Sequence, residues 1–266
     1  MRAGRSPYGD AVDHVAFAED FDGPDLDGSV WLPHYLPVWS SRASTAATYS
    51  VRDSCLTLSI PPDQGLWCGD LHTPPMRVSG IQSGNFSGPV GSTAGQQPFL
   101  PAQTVREEQD TLRGFLPTGG HLEIRCRMTI SPRSMAAFWL VGFEDRPERC
   151  GEICLVEVFG RSVEPGASAE VGMGLHAFRD PELTEDFAAP RLPVDVAAFH
   201  TYAVGWDADE AVFAVDGREV RRCPRPPTYP MQLMLGVFDF LEWSTGDDDH
   251  LVPELVVDWI RTDSAG

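Results

Sequence analysis

The most regular pattern in the chain lies at 122–130. There Leu122, Ile124, Cys126, Met128 and Ile130 alternate with Glu123, Arg125, Arg127 and Thr129. A period of two sustained over that length predicts a strand with one face in a core and the other in water. Leu56-Thr57-Leu58-Ser59-Ile60 alternates in the same way. Residues 135–143 (Met-Ala-Ala-Phe-Trp-Leu-Val-Gly-Phe) are apolar throughout. That suits a strand covered on both faces, although a short buried helix carries the same pattern. Runs at 153–159, 200–206, 211–215, 231–240 and 255–261 also read as strands, and Asp216-Gly217 behind the 211–215 run signals a tight hairpin. Helical periodicity of real length is absent, so the pattern predicts an all-β chain folded as an antiparallel sandwich.

Residues 80–120 break the rhythm. They are rich in Gly, Ser, Gln and Pro and read as a long surface excursion, a kind of loop that is usually functional or disordered. The expected organisation is a tail over 1–14 and one sandwich domain over 15–263.

Composition narrows the partners. The chain has 266 residues, with 25 glycines and 23 prolines that suit many turns. Its 20 basic residues are all arginine and face 39 acidic ones, for a net charge of −19. Such a surface repels phosphate backbones and anionic lipid, which disfavours nucleic acid and membrane as partners. No apolar run approaches the roughly 20 residues of a membrane span. Met1 to Pro7 is basic, but Asp10, Asp13 and Glu19 follow without an apolar stretch, so no signal peptide is recognisable. The expectation is a cytoplasmic protein, or a secreted one if a leader has been removed. Six sparse cysteines read as reduced thiols. Cys150 and Cys154 have the wrong spacing for a zinc knuckle and no second pair to complete it.

The chemistry concentrates in Cys150-Gly151-Glu152-Ile153-Cys154-Leu155-Val156-Glu157-Val158-Phe159-Gly160, where two carboxylates interrupt an apolar strand. Their spacing is odd, so a regular strand would send Glu152 and Glu157 to opposite faces, and on spacing alone solvated glutamates are the commoner outcome. A one-residue bulge at Leu155-Val156 would restore parity and set Glu152, Cys154 and Glu157 on one face. Two carboxyl groups could then approach to roughly 5–5.5 Å, the separation used by retaining glycosidases.

The segment Glu152-Ile153-Cys154-Leu155-Val156-Glu157 resembles the Glu-Ile-Asp-Ile-x-Glu signature of glycoside hydrolase family 16, the laminarinase, lichenase and related β-glucanase group. Other parts are similar in the same order: Phe21-Asp22-Gly23 and Trp31, then Met135 to Leu140 against Trp-Pro-Ala-Phe-Trp-Leu, the hairpin from Phe199 to Gly217, and Val257-Asp258-Trp259-Ile260-Arg261. The resemblance implies a concanavalin-like jelly roll with a concave substrate cleft. It implies Glu152 as nucleophile, Glu157 as general acid/base, and an oligo- or polysaccharide substrate. The expected activity is endo-acting hydrolysis of a β-linked glucan or related neutral polymer, by a monomer that requires no cofactor.

Cys154 stands where the signature has Asp, and a thiol is a far weaker hydrogen-bonding partner. Three readings follow: a tolerated replacement in a working hydrolase, a carbohydrate-binding relic, or Cys154 as the nucleophile itself. The last is weakest, because a reactive cysteine needs a positive neighbour. Trp139, His176, Trp243, Tyr35 and Trp39 are the candidate sugar contacts, each with core filler as the alternative. Asp258 matches an aspartate that helps hold a structural calcium in many family members. Carbonyls of 19–20 and 53–55 would complete that site, and a solvated strand Asp is the alternative.

Overall fold

The computed structural model describes residues 15–246 and 250–263. The expected tail over 1–14 lies outside the described residues. The principal strands in chain order are β1 (Val15–Glu19), β2 (Thr48–Arg52), β3 (Cys55–Ser59), β4 (Met76–Gln82), β5 (Gly120–Thr129), β6 (Ser134–Gly142) and β7 (Glu152–Phe159). They continue as β8 (Gly172–His176), β9 (Asp186–Ala188), β10 (His200–Trp206), β11 (Glu210–Val215), β12 (Arg218–Pro224), β13 (Met231–Phe240) and β14 (Glu254–Asp263).

Among the described residues these strands form two antiparallel sheets. One runs β12-β11-β10-β5-β14-β3-β2, with β1 also paired to β14. The other is six-stranded, in the order β9-β8-β7-β6-β13-β4. The strands expected from alternation are present, and Asp216 and Gly217 turn the β11–β12 hairpin with φ of 49° and 71°. Positive φ at both turn positions matches the right-handed twist of the flanking strands.

The main core lies between the sheets. Leu122, Ile124, Cys126 and Met128 point into it from β5, and Ala136, Phe138 and Leu140 from β6. On β13 the same alternate positions are held by Met231, Leu233, Leu235 and Val237. Fully burying a side chain of this size is worth about 1.5–3 kcal/mol, so this layer dominates the fold energetics.

A second apolar cluster covers the opposite face of the six-stranded sheet. It joins Met135, Ala137, Trp139 and Val141 of β6 with Met234, Phe238 and Phe240 of β13, and with Leu36, Val38, Trp39 and Trp67 from the early loops. This is why residues 135–143 are apolar at every position: both faces of β6 are covered.

Residues 80–82 belong to β4 rather than to the excursion, and the stretch beyond them carries only short ladders, such as Gly84–Asn85 with Leu112–Arg113. Glutamine side chains anchor it. Gln96 receives the Phe86 N–H and donates to the Phe143 carbonyl, and the Gln103 carbonyl receives the N–H groups of Phe99 and Leu100. Buried loop backbone must find partners somewhere, and these amides supply them.

Candidate active site

The face-sharing of the two glutamates is decided by one residue. In the β6–β7 ladder Trp139 pairs with Cys154 and Phe138 with Val156, so Leu155 is an extra residue in β7. Leu155 and Val156 both point into the main core. Glu152, Cys154 and Glu157 consequently all face the second cluster, where they line a cleft of about 350 Å³. The bulge sits at the Leu155-Val156 step, where the spacing required it.

The facing strand has adapted to this bulge. Gly172 pairs with Glu157 and Gly174 with Cys154, and the register shifts between them. Gly174 has φ of 141°, and a Cβ there would fall 2.2 Å from the Asp186 carbonyl oxygen. The absence of a side chain lets β8 pass between β7 and β9. It brings His176 directly across from Glu152.

Tyr35, Met76, Gln97, Met135, Ala137, Trp139, His176, Phe178, Phe238 and Phe240 form the rest of the lining with His72. A second cavity of about 210 Å³ adjoins it, sharing Tyr35, His72, Met76, Gln97 and Phe178 and reaching Trp67, Glu144 and Arg179. Aromatic and thioether surface dominates both, as in sites that receive the apolar faces of sugar rings.

Burial pushes the carboxyl of Glu152 well above the usual range, and the charges of Glu157 and Glu185 add to this. Burial also raises Glu157, which the charge of His176 opposes. Like-charged neighbours in a largely buried site resist joint ionisation, so the pair favours holding one proton. The thiol of Cys154 is driven up by burial and by both glutamates, which leaves it neutral and unsuited to attack. His176 is fixed by Glu185, whose Oε1 lies 2.6 Å from Nδ1, while Oε2 accepts the Ala177 N–H.

The sequence-derived contacts divide. Tyr35, Trp139 and His176 line the cleft. The indole N–H of Trp139 has no partner among the described residues. Trp39 does not line it. It is wholly buried, and its indole N–H donates to the Gln96 carbonyl at 2.7 Å, so it supports the excursion from below. Trp243 also stands outside the lining. It stacks on Phe240 at 4.1 Å between centroids, with the Arg161 guanidinium over its ring.

Asp258 does not fit a calcium ligand. It occupies a bulge in β14, and its carboxylate is taken by the Arg125 guanidinium, a competing cation. Among the described residues no group of three or more His, Cys, Asp or Glu side chains could hold a metal ion. The described cysteines are all free thiols. No helix among the described residues is long and apolar enough to cross a membrane.

Sequence reasoning missed Gln97, His72, Phe178 and the Glu144–Arg179 pair. Gln97 sits in a segment without periodicity, and nothing in its neighbourhood marks it apart from Gln96. Phe238 and Phe240 could have been found, since alternate residues of β13 from Met234 onward share the cleft face.

Comparison with known proteins bears on the fold and the family. No curated protein matches the sequence. Solved structures share the fold. The GlcNAcα1-4Gal releasing endo-β-galactosidase from Clostridium perfringens superposes with a TM-score of 0.78 at 22% identity, over 97% of this chain and 65% of that one. The present chain thus spans just under two thirds of that protein's length. The catalytic domain of an endo-1,3-β-glucanase (laminarinase) from Thermotoga petrophila RKU-1 gives 0.66 at 17% identity, over 95% of this chain and 98% of that one. A β-1,3-1,4-glucanase (lichenase) derived from a mouse hindgut metagenome gives 0.59 at 17%, over 93% and 98%. Residues 119–261, more than half of the chain and including the whole of β7, match the family described as glycosyl hydrolases family 16, and the chain belongs to that family.

Proposed function

We propose that the chain is a retaining, endo-acting glycoside hydrolase on a neutral β-linked polysaccharide, with Glu152 as nucleophile and Glu157 as general acid/base. The observation that carries this reading is the bulge that turns both glutamates of β7 into one apolar cleft. In the first step the Glu152 carboxylate attacks the anomeric carbon while Glu157 gives its proton to the departing glycosidic oxygen. In the second, Glu157 takes a proton from water, which displaces Glu152 from the glycosyl-enzyme.

Burial raises the carboxyl of Glu157, the direction a general acid needs, while Glu152 is raised further in the free protein, so the first step requires the shared proton to sit on Glu157 once substrate is bound. Endo action is supported by the adjoining cavities, which extend the trough past Glu152 toward Trp67 and Arg179. An apolar lining that presents two glutamates disfavours anionic polymers. The likeness to an endo-β-galactosidase as well as to glucanases places β-galactosides beside β-glucans among the polymers to be tried.

Incubation with β-1,3-glucan, mixed β-1,3/1,4-glucan and β-galactan tests the proposal. Viscosity is expected to fall before reducing ends accumulate on one of them, and the first product seen by proton NMR should keep the β-anomer. An α-anomer as first product rules out retention. Binding of oligosaccharide without any cleavage favours instead a carbohydrate-binding protein on the same fold, the reading that Cys154 keeps open.

A pH effect follows from His176. The charge of His176 lowers the carboxyl of Glu157, so removing that side chain raises the Glu157 pKa. Glu157 must be protonated at the start of the first step, and its deprotonation forms the alkaline limb of the rate profile. His176→Ala is therefore expected to move that limb to higher pH, measured from kcat/KM on the cleaved polymer.

A further inference from the structure

Glu152 is nearly enclosed, and among the described residues the charged or titratable groups around it give it no positive partner of its own. Glu157 and Cys154 share its strand, His176 faces it from β8 already paired with Glu185, and Tyr35 approaches from the early loops. The thiol of Cys154 turns toward the Gly172 carbonyl, 4.0 Å away, and so offers its weak S–H elsewhere. Among the described residues the one side-chain hydrogen bond to the Glu152 carboxylate comes from Gln97, whose Nε2 donates to Oε2 at 3.3 Å.

Gln97 is built into place. It holds a left-handed backbone, φ 45°, just before Pro98. Its own N–H donates to Glu144 Oε1 at 2.6 Å. Glu144 is buried, also left-handed with φ 57°, and its other oxygen is held by Arg179. Non-glycine residues in this region are strained and persist only where their surroundings over-determine them. The neighbouring amides of Gln96, Gln103 and Gln109 bond to loop backbone. The Gln97 amide does not. It meets Glu152, and its Oε1 has no partner among the described residues.

We infer that Gln97 is a positioning residue for Glu152, delivered from the excursion and locked by buried Glu144, which the exposed Arg179 holds from outside, supplying the hydrogen bond that Cys154 does not. The inference assigns a role within the proposed reaction and rests on that reading for its kinetic arm. Its donor stabilises the ionised carboxylate and fixes which oxygen lone pair points along the cleft. It also explains how Cys can occupy the middle of β7: the orienting contact comes from a different part of the chain.

The test is a cycle of Gln97→Met, Cys154→Asp and the double variant, Met keeping the length of Gln without its donor. Gln97→Met is expected to lower kcat by about 10–100-fold with KM changed less than about threefold, the effect of losing one hydrogen bond to a charged group. Cys154→Asp should restore most of that loss in the double variant. Losses that simply add, or a Gln97→Met enzyme as fast as the parent, overturn the inference.

A second arm needs no activity. If Gln97 favours ionised Glu152, its removal raises the folded-state pKa of Glu152, and the parent's stability advantage grows as pH rises through that pKa. The difference in Tm between parent and Gln97→Met should therefore widen from about pH 5 to about pH 9, and a constant difference refutes the contact. An inert parent that shows the widening would sink the hydrolase reading and leave the Gln97–Glu152 contact standing.

Discussion

Glu152→Gln is expected to reduce kcat by at least about 10⁴-fold while leaving the fold intact. A neutral amide cannot form the glycosyl-enzyme, and removing a nucleophile from a concerted pair costs nearly the whole chemical advantage. The fold should survive because Gln has almost the same shape, and because burial and two acidic neighbours already disfavour the charge of Glu152. Stability of the variant should match or exceed the parent in a thermal scan at about pH 8, where the parent bears the greater cost of a buried charge.

Glu157→Gln should behave differently. An aryl glycoside with a good leaving group needs no proton in the first step, so its glycosylation rate should fall far less than that of the polymer. Turnover then waits on the second step, where the base is missing. Added azide, which needs no base, should restore turnover and give the β-azide from Glu157→Gln but no such product from Glu152→Gln. If both variants respond to azide alike, the assignment of roles is wrong.

The second large effect is expected in stability. Gly174→Ala should lower Tm by about 10 °C, corresponding to a loss of roughly 3 kcal/mol or more in a domain of this size. Two costs combine. At φ 141° an L-residue is strained, and its Cβ would lie 2.2 Å from the carbonyl oxygen of Asp186, a backbone atom that cannot rotate away. Relief requires β9 to separate from β8. That displaces Glu185, which precedes β9, and frees His176, so the remaining activity should also lose the His176 contribution to its pH profile. Gly217→Ala, at φ 71° in a turn with no atom within 4 Å of the added carbon, supplies a control for strain without collision. A Gly174→Ala protein that melts no lower than that control would show that β8 and β9 are not packed as described.

Much of the molecule was legible because burial on one face writes itself as alternation. β5 could be read residue by residue, and its Leu122, Ile124, Cys126 and Met128 are the ones in the core. β4 and β8 were not legible. Met76 to Gln82 is buried on nearly all sides and includes Ser79, Gly80 and Gln82, so no period of two survives. Gly172-Met173-Gly174-Leu175-His176 has glycine where a hydrophobic marker would stand, because close strand approach leaves no room for one. The aromatic residues carried the same ambiguity. Tyr35 and Trp39 belong to one short loop segment, yet one lines the cleft and the other is sealed beneath the excursion.

The sequence by itself determined the layered β-architecture, the strand that bears the glutamates and the place where that strand must bulge. Each follows from local rules: alternation reports a buried face, and an odd spacing can meet one face only through an extra residue. Tertiary structure alone decided what surrounds those glutamates. Gln97 reaches Glu152 across 55 positions of sequence, and Arg179 reaches Glu144 across 35. The pairing of Asp258 with Arg125 spans 133. Such contacts depend on which loops close over a sheet face, and no period along the chain encodes that.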